Sequence, residues 1–392
     1  MFKIPFAGRS HKFEEDEIAA VADLMRSGNP LTQGPQLKAF EAAFKDFLNT
    51  ENHCFGVGCA ADAIEIAATL LNLGPEDEII IPAHTYTASA SPFAKRNARI
   101  IWADIDPDER VVSVDTLAPL ITSNTKAIMV VHLYGYAADM PAISKLAKDN
   151  NLVLIEDCAQ SIGAEINGVK TGAISDISIF SFHAHKNIST LGEGGMLTVK
   201  RDDWAGIVPS IRHNGHAPYS REHNDYWRPA MSNVVLPQLD GETFMPSNFC
   251  MNEAAALLGQ MLLKRVDDIN DVKRRRALKF IEAFQDHPEL VFHRVESNRH
   301  NYHLLVAEAR GIDRDKFIRM MAEDHGIQCV VQYYPLYRYD LYEQLGYGNV
   351  SLPNTDRFFD NMISFPFHFM LEEPDLEQII TTAKKVLNLC RE

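Results

Sequence analysis

Between residue 53 and about residue 200 the chain alternates short apolar runs with helical segments, and this alternation restricts the fold more than any other feature. Strand-like runs fall at 53–57, 78–81, 99–103, 126–131, 152–156, 177–182 and 196–199. Helical spacing fills most of the gaps, as at 60–73 and 141–149. Apolar runs joined by helices predict an α/β fold, with a three-layer, mainly parallel sheet covered on both faces. In such sheets the active residues gather beyond the carboxyl ends of the strands. Two amphipathic helices precede the sheet: one at 13–26, stopped by Gly28-Asn29-Pro30, and a second marked by Phe40, Phe44 and Phe47. Past a helical stretch at 251–286, strand patterns (302–307, 327–331) alternate with helical ones (313–324, 374–389). The expected organisation is an N-terminal arm and large domain over 1–250, then a linking helix and a smaller α+β domain over 251–392.

Two stretches carry chemistry. The first, Ser181 to Gly195, follows the apolar run 176–182 and ends in a glycine-rich turn before Met196. It holds one lysine, Lys186, five residues after Ser181 and boxed in by strand ends. Desolvation in a cleft disfavours the ammonium form and leaves an amine able to attack a carbonyl, as a Schiff-base lysine for pyridoxal phosphate must. An ordinary loop lysine near a turn is the other reading of this stretch. The second stretch, Val153 to Gln160, is an apolar strand ending in acid, with Asp157 at its carboxyl end. A pyridoxal ring needs a carboxylate at its nitrogen, because the protonated ring is the electron sink. Such an aspartate also serves often as a helix cap.

The order Glu156-Asp157-Cys158-Ala159-Gln160, Ser181-Phe182-His183-Ala184-His185-Lys186-Asn187 and Gly192-Glu193-Gly194-Gly195-Met196 resembles the DegT/DnrJ/EryC1/StrS family of sugar aminotransferases. The likeness runs from Leu31-Thr32-Gln33-Gly34-Pro35 to Phe365-Pro366-Phe367-His368. It implies the aspartate-aminotransferase fold (fold type I), pyridoxal 5'-phosphate as cofactor, and an N-terminal arm packed on a partner subunit. It also implies roles for single residues. Lys186 and Asp157 are the catalytic pair, and Tyr86 stacks on the cofactor ring. Gln160 meets the cofactor's phenolic oxygen, Ser181 its phosphate, and Asn248 the phosphate of the neighbouring subunit's cofactor, which implies a homodimer with shared sites. The main-chain amides of Ala60, Ala61 and Asp62 form the phosphate cradle. There the family commonly has Ser-Gly-Thr and this chain has Cys59, Ala60 and Ala61, so a hydroxyl contact is missing. A dehydratase branch of the family replaces the lysine by histidine; here Lys186 is retained with His185 beside it, which favours transamination. The implied reaction moves an amino group from glutamate or glutamine to a keto-sugar, either nucleotide-linked, a sugar phosphate or a sugar acid. A cyclitol aminotransferase, a sugar dehydratase and a non-catalytic cofactor-bound regulator are the alternatives.

A formal charge of −15 over 392 residues argues against a nucleic-acid surface or an anionic membrane. No apolar stretch is long enough to span a bilayer, and Met1 to Phe6 lack the core of a signal peptide. Six scattered cysteines show no metal-type spacing, so no metal is expected, and reduced thiols point to the cytoplasm. Residues 200–246 read as a long functional loop. Arg212, His213, His216, Arg221, His223 and Arg228 give it local positive charge, partly offset by Glu222 and Asp225. Arg221, Arg228 and His213 are therefore the candidate ligands for an anionic group on the sugar. The basic run Lys273-Arg274-Arg275-Arg276 reads as a solvated helix face.

Overall fold

The computed structural model describes residues 2–9, 11–219, 232–296 and 299–391. Seven strands form the main sheet: β1 (His53–Val57), β2 (Glu78–Pro82), β3 (Arg99–Ala103), β4 (Thr125–Val131), β5 (Val153–Asp157), β6 (Ile177–Ser181) and β7 (Gly195–Val199). Their order is β1-β7-β6-β5-β4-β2-β3. Only β7 runs against its neighbours, pairing antiparallel with both β1 and β6. The register sets Val131 beside Asp157, and both Ser181 and Val57 beside Gly195. The carboxyl ends of β1, β4, β5 and β6 therefore share one edge.

Alternation along β6 shows why the sheet is covered twice. Ile177 and Ile179 enter one core, with the helix at Ala60–Leu71, whereas Phe180 and the following Phe182 enter another. That second core is built on helices α1 (Glu15–Ser27) and α2 (Pro35–Leu48) and on the later helix 253–263; α2 lays down Leu37, Phe40, Phe44 and Leu48 at helical spacing. Helix α3 (Ala60–Leu71), α4 (Met140–Asp149) and α5 (Asp202–Arg212) follow strands of the sheet. Helices α6 (Glu253–Leu263) and α7 (Val266–Ala283) lead to the third core. There β8 (Leu290–Phe292), β9 (Leu305–Ala309) and β10 (Met362–Phe365) form an antiparallel sheet, packed by α7, α8 (Arg314–Glu323) and α9 (Glu373–Cys390). Helix α7 serves two bodies: Val266 and Ile269 pack beneath the large sheet, Ala277 and Phe280 against the small one.

Several expectations are corrected. Residues 202–212 are helix, where the polar composition suggested loop. Arg212 is buried and donates to Glu41 and to the Gly56 carbonyl, so it is a structural tie. The expected strand at 327–331 is reduced to single pairings, Ile327 with Ile4 and Val330 with Ser364. The strand expected at 302–307 starts at Leu305, because Tyr302 takes a left-handed backbone (φ 52°). The helical stretch 251–286 is broken at Lys264–Arg265 into α6 and α7. The basic run on α7 is not a solvated face throughout: Lys273 is 2% exposed. None of the described helices is long and apolar enough to cross a membrane.

Glu253, fully buried at the start of α6, caps a different helix. Its carboxylate accepts the N–H groups of Gly34, Gln36 and Leu37 at the amino end of α2. Negative charge there meets the positive end of the helix dipole and satisfies otherwise orphaned donors. Glu253→Ala should cost about 2–4 kcal/mol of stability, since several buried donors lose a charged acceptor at once. Urea denaturation would measure this, and a loss below about 1 kcal/mol would show that water replaces the carboxylate.

Candidate active site

A cleft of about 470 Å³ opens at the shared strand edge. Asp157 ends β5 and is 6% exposed. Its Oδ2 accepts the Ser89 hydroxyl at 2.7 Å and its Oδ1 the Ala159 N–H at 3.0 Å. Ser89 is itself placed by Thr85, 2.9 Å away. These bonds fix the carboxylate with an ordered face toward the cleft.

Lys186 lies on the cleft floor in the turn after β6. Main-chain bonds hold that turn: Lys186 N–H to the His183 carbonyl, Ala184 N–H to Gly192, and Phe182 N–H to Gly194. Burial pushes the Lys186 ammonium down to about 8, and the attraction of Asp157 opposes the shift. Gly195 is required by space, because a Cβ there would sit 2.6 Å from the Cys59 carbonyl carbon and 2.8 Å from the Ala60 nitrogen. The glycine thus lets β7 press against the amino end of α3.

The other expected residues divide. Ala60 and Ala61, at the first turn of α3, line the cleft, as do Tyr86, Gln160 and Ser181. Tyr86 is 58% exposed and meets Tyr333 edge-on at 6.1 Å. Gln160 Oε1 accepts the Tyr134 N–H and its Nε2 donates to the Tyr333 hydroxyl. Asp62 turns away: its carboxylate accepts the Cys59 N–H and its own N–H goes to the Cys59 sulfur, closing a capping box. Asn248 is exposed, pairs through its main chain with His213 and lies outside the cleft of its own chain. The helix after it is capped by Asn252 instead. His213 also stands off this cleft, its ring 4.3 Å from that of His216. Arg221 and Arg228 lie outside the described residues.

Several cleft residues escaped the sequence reading. Lys273 and His303 form part of the wall, tied through Asn187: Lys273 Nζ donates to Asn187 Oδ1 at 3.2 Å, and His303 Nδ1 lies 3.2 Å from the same oxygen. Ser89, Tyr333 and His368 were missed as well. Asn187 was the available signal, being next to Lys186; the rest come from distant segments. His132, Glu156 and Cys158 lie within 4.8 Å of one another under the sheet edge. Hydrogen bonds tie the first two: His132 Nδ1 accepts the Ala138 N–H, leaving Nε2–H for Glu156 Oε2, which also accepts the Gly172 N–H.

A family profile described as the DegT/DnrJ/EryC1/StrS aminotransferase family matches residues 11–384. The chain belongs to that family. It is 30% identical over 354 residues to GDP-perosamine synthase of Caulobacter vibrioides, with 89% of each chain covered. It is 28% identical over 391 residues to dTDP-3-amino-3,4,6-trideoxy-alpha-D-glucose transaminase of Streptomyces venezuelae, covering 98% of this chain and 96% of the relative. Among solved structures, Spr1654 of Streptococcus pneumoniae in its PMP form matches with a TM-score of 0.85 at 27% identity, over 99% of this chain and 100% of that one. The same protein has been solved in a PLP form, at a TM-score of 0.83.

The protein is a transaminase whose cofactor is pyridoxal phosphate. The cleft of this aminotransferase fits that group: a fixed carboxylate at one end, a helix amino end and Ser181 at the other, and an amine between them. In cofactor-free protein, NMR titration of the lysine side chains should show, besides Lys273 near pH 7, one amine changing near pH 8, protonated below and neutral above. That titration should vanish in Lys186→Ala; its persistence would assign the shift to another lysine.

Proposed function

We propose that this aminotransferase moves an amino group from glutamate or glutamine to a nucleotide-linked keto-sugar, releasing an amino-sugar. The observation that carries the reading is the Lys186 amine on the cleft floor, attracted by a fixed Asp157 and flanked by the amino end of α3. The relatives' names contain a GDP-linked and a dTDP-linked sugar, which supports a nucleotide-linked acceptor over a simple sugar phosphate or sugar acid.

When bound, pyridoxal phosphate supplies an electron-poor ring that takes up the electron pair of a breaking C–H bond. Asp157 holds a proton on the ring nitrogen, and its bonds to Ser89 and Ala159 keep it pointed there without reorganisation. Lys186 Nζ moves a proton off the donor's Cα and later delivers one to the acceptor carbon. A pKa near 8 suits both directions at neutral pH. The Ala60 and Ala61 amides and the Ser181 hydroxyl receive the phosphate; with an alanine at 61, the main chain and the helix dipole carry more of that binding. Tyr86 offers its exposed ring for stacking. Gln160 has one Nε2–H left for the phenolic oxygen after donating to Tyr333.

The exposure of Asn248 outside its own cleft supports a homodimer in which it reaches the neighbouring chain's phosphate. Arg221 and Arg228 are assigned to the sugar's anionic part, with His213 at the base of the same segment. A cytoplasmic enzyme with reduced thiols accords with cysteines that are all unpaired.

Two measurements test the reading. Lys186→Ala should lower turnover at least about 10³-fold, within the range for a lost general base. Glutamate should bleach the cofactor's visible band in wild type and leave it unchanged in the variant; wild-type turnover in Lys186→Ala would end the proposal. For the shared site, Lys186→Ala and Asn248→Asp chains, each severely impaired alone, should recover activity when mixed, because a mixed dimer contains one intact site. Verified subunit exchange without recovery would place Asn248 outside the site.

A further inference from the structure

Among the described residues, the buried side-chain nitrogen of Lys273 has no acidic partner. Helix α7 passes from the core under the large sheet to the core of the small one, and Lys273 falls between, at the cleft wall. Its Nζ donates to Asn187 Oδ1 at 3.2 Å and to the His303 carbonyl at 3.0 Å, both neutral, and lies 5.7 Å from the centre of the Phe367 ring. An ammonium has three N–H groups, so one remains. Among the described residues, the titratable groups facing it are Lys186, His300, His303 and His368, and none is acidic. A buried charge without a partner is costly, and such a group is retained at a functional site more readily than in a plain core.

We propose that Lys273 anchors a substrate carboxylate in the cleft beside Lys186, its remaining N–H being the donor. The inference rests on the aminotransferase reading for the identity of the substrates, and it deepens that reading by naming the residue that receives their charge. Two sources share this chemistry: the carboxylate of the amino donor, and that of a sugar acid. The position explains how an acidic protein takes an anion. The wall carries lysines and histidines; of its two acids, Asp157 faces the ring nitrogen and Glu193 lies 3.9 Å from the His183 ring. Burial, reinforced by the charge of Lys186, pushes Lys273 down to about 7, so at pH 8 it is mostly neutral. A carboxylate arriving next to it restores the ammonium, and binding takes up a proton. His300 is pushed down to about 3 and His303 well below its usual value, so neither supplies that proton change at pH 8.

The test uses holoenzyme and calorimetric titration at pH 8 in two buffers of different ionisation heat. One arm uses glutarate, the donor skeleton without its amine; the other uses glucuronate, a carboxylate on a sugar ring. Wild type should bind one of them with net proton uptake. Lys273→Gln should weaken that binding about 10- to 100-fold, the range for losing a charged hydrogen bond, and abolish the uptake. Lys273→Arg, permanently charged, should bind without uptake. Binding in the glutarate arm alone assigns the donor's carboxylate, and binding in the glucuronate arm alone assigns a sugar acid. Failure of both anions to bind wild type, or the same affinity and uptake in Lys273→Gln, overturns the proposal. The cofactor's visible band reports whether each variant is folded and loaded; if Lys273→Gln is not, wild type and Lys273→Arg decide through the uptake. Bleaching of that band by glutamate is scored separately, so a wrong donor is told apart from a wrong anchor.

Discussion

Asp157 is a carboxylate 6% exposed at the end of a strand buried along most of its length, and such a group is stable only where its lone pairs are occupied. Ser89 and Ala159 occupy part of them, which places demands on two further segments. The turn after β2 must bring Ser89 across the edge of β4, and the chain after β5 must bend at once to return the Ala159 N–H. The parallel order β6-β5-β4-β2 makes both possible, because it stacks the carboxyl ends of those strands together. The antiparallel β7 then returns the chain past Val57, so that the lysine turn and the start of α3 close on the same edge.

Local pattern carried the sheet well. Every strand expected between 53 and 199 is present within one or two residues, since buried parallel strands are short apolar runs with sharp ends. Asp157 and Ser181 end strands and Ala60 and Ala61 start a helix on that edge, whereas Lys186, Tyr86 and Gln160 lie three to five residues past strand ends and were legible from the motifs around them. What escaped depends on contact between distant segments. Ser89 looks like any serine in a turn until β5 is placed beside it. Lys273 sits in a run of four basic residues, and composition alone cannot say which of them points inward. Asp62 misled in the opposite sense: its N–H was expected in the cradle, but at the third helical position it is drawn into a capping box with Cys59. The small sheet was harder to read, because single pairings such as Val330 with Ser364 leave no repeating pattern.

Global and local electrostatics diverge in this molecule. A net charge of −15 describes the whole chain, whereas Lys186, Lys273 and the histidines about them line a desolvated cavity in which charge is expensive. Both lysines are held well below their ordinary values by burial. Burial therefore opposes positive charge on both lysines, in a chain whose overall charge is negative.

The N-terminal segment adds a different consequence. Lys3 and Ile4 donate to the Gly326 carbonyl, Gln328 donates to Ile4, and Phe6 N–H reaches Gln328 Oε1 across 322 positions of sequence. Phe6 to Gly8 are also part of the cleft wall, with Gly8 close against His368. Residues 3–8 must therefore wait for Gly326, Gln328 and His368 to be made before they find their place. The large sheet can assemble as it emerges, but its cavity stays open on one side until the small sheet is complete, which makes closure of the wall a late, high-contact-order event in the life of each new chain.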